Sequence, residues 1–465
     1  MNTTNAASSH PLSGRPDLPR VLGLSDVVSI VIGGVIGAGI FLSPSEIAAA
    51  VPAPLLMLAV WVDGGLFSFF GAVSFAELGA AMPQTGGIYI YLREAYGPLI
   101  SFLFGWTLFL VIDSGAIATL AVAFSHNMLP KFVAMTPLVK KLVAAGFVVF
   151  LGAVNYVGVR WGARLQNLLT LIKTGAIGIV CVAVFFFAKG RGNVANFVEP
   201  KPDSFNFGLL GAFGIGLVAS LWAYKGWEAA TYSAGEMKNP RRNLPLGILI
   251  GTGAVIVIYL VANLAYLYVL PVGKIAASEN RVALDAMALV TGPFGASLIA
   301  FLILFSILGA ANQNVLTSPR VYFAMAKDGL FFGKIATVHP KFLTPSVSII
   351  AICAWSVVLT LTGTFKQLFT YVIFGEWIFF GLTVAAVIVL RRKRPDLDRP
   401  YKTWGYPVTP VVFVLAAFYV AVAALLSAFW NAMGGLAIIL LGVPAYLYWR
   451  RKSKAAGAEG LTSNI

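Results

Sequence analysis

The stretch Ile32-Gly33-Gly34-Val35-Ile36-Gly37-Ala38-Gly39-Ile40-Phe41 sets four glycines into an otherwise apolar run. Glycine at Gly37 and Gly39 lets a helix unwind without steric cost. The half-helix that restarts beyond them then has first-turn N–H groups with no intrahelical acceptor. Such donors, at the positive end of the helix dipole, suit a carboxylate. Carbonyls ending the preceding half-helix, at Val35 and Ile36, suit an ammonium. An α-amino acid presents both charges a few Å apart. Gly33 and Gly37 also have Gly-x-x-x-Gly spacing, for which close packing of helices is the competing explanation.

A second interruption reads Ser220-Leu221-Trp222-Ala223-Tyr224-Lys225-Gly226-Trp227-Glu228. A break at Tyr224, Lys225 and Gly226 frees carbonyls near Trp222 and Ala223 as a second ammonium anchor, and the aromatics beside it could close over a bound molecule or face lipid. Lys225 and Glu228 are three residues apart and are expected to neutralise one another across a helical turn. Lys173, in Leu169-Thr170-Leu171-Ile172-Lys173-Thr174-Gly175, lies about eight residues from either end of its run. That is roughly 12 Å at helical rise, too far for easy snorkelling, so a buried partner is expected. Asp63, Asp113 and Glu376 also fall inside apolar runs, as proton carriers or as partners of Lys173, Lys225 or a backbone donor. His10, His126 and His339 lie outside the centres of the runs, which excludes a deep histidine metal cluster. Cys181 and Cys353 sit in different runs and read as small hydrophobes, so no disulfide-linked partner chain is expected.

The elements holding these groups follow from composition. With 59% hydrophobic and 11% charged residues among 465, the chain is far less charged than a soluble domain, at about 25%. Apolar runs of about 20 residues recur from Ser25 to Trp449, each long enough to cross a bilayer core, and only helices satisfy the backbone within such non-alternating runs. The fold class is therefore an all-α integral membrane protein with about twelve spans. The net charge of +15 does not point to nucleic acid, because no basic soluble domain carries it. Lys and Arg instead concentrate after the sixth and tenth runs and at the C-terminus, which puts both termini in the cytoplasm. The two interrupted runs are five spans apart, so the second unit enters from the opposite face: an inverted repeat of residues 24–188 and 207–390 with discontinuous helices at matching positions. Residues 408–448 supply two further helices, 1–23 and 449–465 form cytoplasmic tails, and 320–341 is expected as an amphipathic helix on the inner surface.

Four segments carry a family resemblance: Gly33 to Phe41; Gly158-Val159-Arg160-Trp161-Gly162-Ala163-Arg164-Leu165-Gln166; Trp222 to Trp227 with Asn239-Pro240-Arg241-Arg242-Asn243-Leu244-Pro245; and Thr317-Ser318-Pro319-Arg320. Through them the chain resembles the amino acid, polyamine and organocation transporter superfamily, and within it the L-type amino-acid transporter branch in its bacterial form. The resemblance implies the five-plus-five inverted repeat in a multi-pass cell-membrane protein. It implies sodium-independent exchange or facilitated diffusion of neutral L-amino acids by alternating access, with proton symport, or cationic amino acids and polyamines as cargo, as the alternatives. It assigns the substrate carboxylate to backbone N–H groups of Ala38 and Gly39, the amino group to carbonyls of Val35, Trp222 and Lys225, and a gate to Trp222. It makes Lys173 a built-in cation where sodium-coupled relatives bind Na⁺, bridging the first and eighth spans, with Asn312 or Asn314 as the contact from the eighth. No cofactor or metal is implied; lipid and a small amino acid are the only partners, and the protein is expected to act as a monomer. Two departures stand out: relatives often have Ser at Ala38, and Gly or Asp at Lys225. A membrane-embedded enzyme would need a nucleophile, metal set or cofactor motif at membrane depth, and none is recognisable; a non-transporting sensor would bind without flux.

Overall fold

The computed structural model describes residues 18–37, 39–200, 207–278, 281–362, 365–427 and 429–462. Among them the chain is helical apart from turns and one isolated bridge between Leu22 and Met237. Among the described residues nine helices are long and apolar enough to cross a bilayer, and a tenth span forms if the bent pair Leu24–Val35 and Gly39–Ala50 is counted as one. Ser346–Thr362 is a shorter apolar helix, and Phe365–Lys393 follows it. Proline opens the helices at Pro54, Pro98, Pro137, Pro240 and Pro293. Its fixed φ suits the first turn, where its missing N–H has no partner to lose.

Both anticipated breaks are present. The first span stops at Val35, restarts at Gly39 and is bent by 40°; Ala38, assigned to the carboxylate, lies outside the described residues. The sixth is α-helical over Phe207–Ala223, turns through Tyr224, Lys225 and Gly226, and continues as a tighter 3-10 helix over Trp227–Glu236. Between them the third span, Pro98–His126, carries two π-helical turns, Leu108–Ile112 and Ala123–Met128. Such turns re-aim the intervening α-helical face.

The start of the first span and the end of the sixth meet on one face of the molecule. The N–H groups of Val21 and Leu22 donate to the Glu236 carbonyl at 2.8 and 3.0 Å, and Lys238 N–H donates to Leu22 O at 2.8 Å. The last part of the expected N-terminal tail is thus tied to the helical body. The same end carries ion pairs between elements: Glu77 with Arg391 at 2.6 Å, Arg93 with Asp328 at 2.5 Å, Arg394 with Glu94 at 2.9 Å and Glu236 with Arg320 at 2.6 Å. The last is bidentate, with Arg320 Nη2 donating to Glu236 Oε2 at 3.1 Å, and both side chains are fully buried. Outside the spans, burial alone would lower the Arg93 guanidinium, but Asp328, with Tyr89 and Glu94, more than offsets it and holds Arg93 above its ordinary range.

Two expectations change here. Residues 320–341 do not form a surface helix: Pro319–Lys327 continues the eighth span, and Pro319 through Ala326 are all buried. The amphipathic spacing reflects a helix whose polar face is Arg320 paired with Glu236 rather than a face in water. The last helix runs Phe429–Thr462, so most of the expected C-terminal tail prolongs it.

Candidate functional site

The two breaks pack against each other through glycine. A Cβ placed on Gly226 would lie 2.6 Å from the carbonyl carbon of Gly34, and φ at Gly226 is +122°, a region that side chains rarely adopt. A Cβ on Gly39 would meet Ala223 Cα at 2.7 Å. The contact leaves a cavity with about 630 Å³ of empty space, counting its mouth, between the first, third, sixth and eighth spans. Val35, Gly37, Gly39, Trp222, Ala223, Lys225 and Gly226 line it, as the sequence suggested, and Asn314 joins them from the eighth span. Gly39, the first residue of the restarting half-helix, is on the cavity wall, and the first-turn N–H groups of a helix have no intrahelical acceptor.

The carbonyl side of the first break is arranged differently from expectation. Lys173 Nζ donates to Gly33 O and Ile36 O, each at 2.6 Å, and lies 3.4 Å from Ser306 O. Ser306 Oγ donates to Gly37 O at 2.9 Å and Ile36 O at 3.3 Å. Val35 O accepts from Gly37 N–H at 2.8 Å and from the Tyr259 hydroxyl at 2.9 Å. The same hydroxyl lies 3.2 Å from Ala223 O. Carbonyls assigned to a substrate ammonium are therefore held by Lys173, Ser306 and Tyr259. These donors fix the unwound backbone in a fully buried place where an unpaired carbonyl would cost about 1–3 kcal/mol.

Lys173 does bridge the first and eighth spans, but through Ser306, not Asn312 or Asn314. Asn312 lies six residues beyond Ser306, about 9 Å along the helix. There it donates to Gln166 Oε1 at 2.8 Å and Gly162 O at 3.2 Å and accepts from Asn155 Nδ2 at 2.9 Å, joining the fourth, fifth and eighth spans. The fifth and eighth helices run in opposite directions, so Gln166 meets Asn312 two turns away from the level at which Lys173 meets Ser306. Gly309 makes room for the ammonium: a Cβ there would lie 2.8 Å from Lys173 Nζ.

Lys225 pairs with Glu376, Nζ to Oε1 at 3.0 Å, and not with Glu228. The turn at Gly226 explains the change, since Glu228 curls back so that its Oε2 accepts from Gly226 N–H at 3.0 Å. Asp113 accepts a short hydrogen bond from Ser318 Oγ. Asp63 is half-buried in the second span and is absent from the cavity wall. Tyr224 points away from the cavity. Its hydroxyl reaches Trp61 O at 3.2 Å and its ring lies 5.0 Å from Tyr259, in an aromatic cluster behind the break. Replacing Glu376 with Gln removes the ion-pair partner of Lys225, leaving it the more distant charges of Asp113 and Glu228, and is expected to destabilise the protein by up to about 3–5 kcal/mol, read as a fall in Tm in detergent. The double substitution Lys225→Met with Glu376→Gln should recover most of that loss; no recovery would show that the pair is not the main contact of either side chain.

Tyr259, Ser306, Thr119 and Gln313 carry no motif, and a single sequence gave little signal for them. Their common trait is a polar group at the middle of an apolar helix. The comparisons extend this picture. The profile of the amino acid permease family matches residues 22–443. The chain is 32% identical to the serine/threonine exchanger SteT of Bacillus subtilis, over 94% of this chain and 98% of that protein. It is 32% identical to the human b(0,+)-type amino acid transporter 1, over 92% and 88% of the two chains, and 32% identical to the mouse large neutral amino acids transporter small subunit 2, over 97% and 87%.

Proposed function

This chain belongs to the amino acid permease family, and from that premise we propose that it exchanges neutral amino acids across the cell membrane by alternating access, without sodium. The observation that carries this reading is the cavity at two touching helix breaks, with half-helix N–H groups from Gly39 onward available to a carboxylate. The positive end of that half-helix holds the acid end of the substrate; the amino group, having lost Val35 and Ile36 to protein donors, takes its acceptors from the sixth-span break around Trp222 and Gly226. Lys173 supplies a fixed cation at the first break, and like-charge repulsion there excludes Na⁺. A second cation, Lys225, in the cavity wall disfavours cationic amino acids and polyamines as cargo. Both termini are cytoplasmic in this reading, and the ring of ion pairs from Glu77 to Arg394 closes the cytoplasmic end.

Proton symport is the second reading, favoured by the buried Lys225–Glu376 pair at the cavity wall. Reconstituted protein separates the two: exchange requires amino acid inside the liposome, whereas symport loads empty liposomes under an inward proton gradient. Trp222 covers the cavity from the sixth span. Trp222→Ala removes that cover and should weaken apparent affinity about tenfold while raising leak of trapped substrate. Unchanged affinity and leak would remove Trp222 from the gate.

A further inference from the structure

Nineteen buried side-chain polar atoms among the described residues have no hydrogen-bond partner in the protein, and two belong to residues that line the cavity: Thr119 Oγ1 and Gln313 Nε2. Both side chains are more than nine-tenths buried. They line the cavity from the third and eighth spans, which pack against each other. Ala116, Thr119 and Leu120 have the i, i+3, i+4 spacing of one helical face between the two π turns of the third span, and Ala310, Gln313 and Asn314 have the same spacing on the eighth. Gln313 is held in place by the first break, because a Cβ on Gly34 would lie 3.0 Å from its Cδ.

Resting on the amino-acid reading above, we infer that Thr119 and Gln313 select for side chains bearing an uncharged hydroxyl or carboxamide. A substrate hydroxyl both donates and accepts, so it can engage the Thr119 hydroxyl and the Gln313 amide together. Both groups are already buried and unpaired, so an aliphatic side chain of the same shape leaves them unsatisfied, whereas a hydroxyl gains the bonds that they lack. A cationic side chain meets Lys225 in the cavity wall, and an anionic one competes with Glu376 for that lysine, which Glu376 already holds at 3.0 Å. Half of the lining residues are glycine or alanine, with Leu120 and Trp222 as bulky members, which suits side chains the size of serine, threonine, asparagine or glutamine.

Threonine and valine are isosteres and form the direct probe. Using the full chain in liposomes, competition by each against counterflow of labelled threonine should show threonine favoured by about tenfold or more. Thr119→Val and Gln313→Met should each narrow that ratio mainly by weakening threonine, with valine affinity held or improved. A wild-type ratio within about twofold overturns the inference, as does a variant that weakens both amino acids equally; the wild-type ratio decides even if neither variant folds. Strong exchange with no polar preference leaves the amino-acid reading intact and removes only this selectivity. Absence of exchange by any of the common amino acids removes both.

Discussion

Lys173→Ala should reduce exchange to the background of empty liposomes. The substitution withdraws one ammonium from two carbonyls, Gly33 O and Ile36 O, each 2.6 Å away in a fully buried place. Gly33 O is then orphaned, at about 1–3 kcal/mol, a sizeable part of a stability margin of about 5–15 kcal/mol, and Ile36 O keeps only the longer bond from Ser306 Oγ at 3.3 Å. The unwound segment that they belong to is the wall of the binding cavity. Lys173→Met separates packing from the ammonium, since it keeps most of the stem that packs on Gly309 and loses the charge together with its N–H donors. It should fold better than the alanine variant and still fail to exchange. A Lys173→Met protein with unchanged rate and unchanged indifference to sodium would deprive Lys173 of its assigned role.

Gly226→Ala is the second change expected to be severe, and its effect should be local. The alanine must take φ near +122° and place its Cβ 2.6 Å from the Gly34 carbonyl carbon. Backbone strain alone costs about 1–3 kcal/mol, and relieving the overlap forces the two breaks apart. At about 1.4 kcal/mol per tenfold, affinity should fall on the order of a hundredfold, with a smaller change in Tm, because the ends of both helices are anchored elsewhere. Binding of the labelled amino acid by scintillation proximity measures this without requiring turnover. Near-wild-type affinity would mean that the contact between the breaks does not shape the site.

Much of the architecture was legible because lipid leaves few choices. Long apolar runs had to be helices, and the odd spacing of two interruptions implied inversion of the second unit. Type and spacing raised Gly37, Gly39, Trp222 and Gly226 as candidates beside helix packing and lipid contact, the family resemblance put them at a substrate site, and all four line the cavity. The partners of the charged groups were not legible. Lys225 and Glu228 satisfy the i, i+3 rule only if the helix continues, and Gly226 ends it, so Glu376 from a distant span takes the lysine instead. Asn312 looked like a polar contact for Lys173, but antiparallel packing of the fifth and eighth helices sets it level with Gln166. Tyr259 was invisible as a functional residue because a tyrosine in an apolar run reads as packing; its hydroxyl is aimed at Val35 O and Ala223 O by a fold in which the seventh span crosses behind both breaks. Arg320 misled in the opposite direction: beside Lys327 and Lys341 it suggested a wet surface, whereas it is buried against Glu236.

The Lys173 and Gly226 effects bear on separate parts of the site, the fixed cation and the contact between breaks, and both assume that the chain moves amino acids without a sodium gradient. Counterflow in proteoliposomes tests that assumption most directly. Liposomes loaded with unlabelled threonine and diluted into labelled threonine should accumulate label transiently, at the same rate in sodium and in choline medium, whereas liposomes without internal amino acid should accumulate little. Uptake that disappears in choline, or that proceeds equally well into empty liposomes, would contradict sodium-independent exchange.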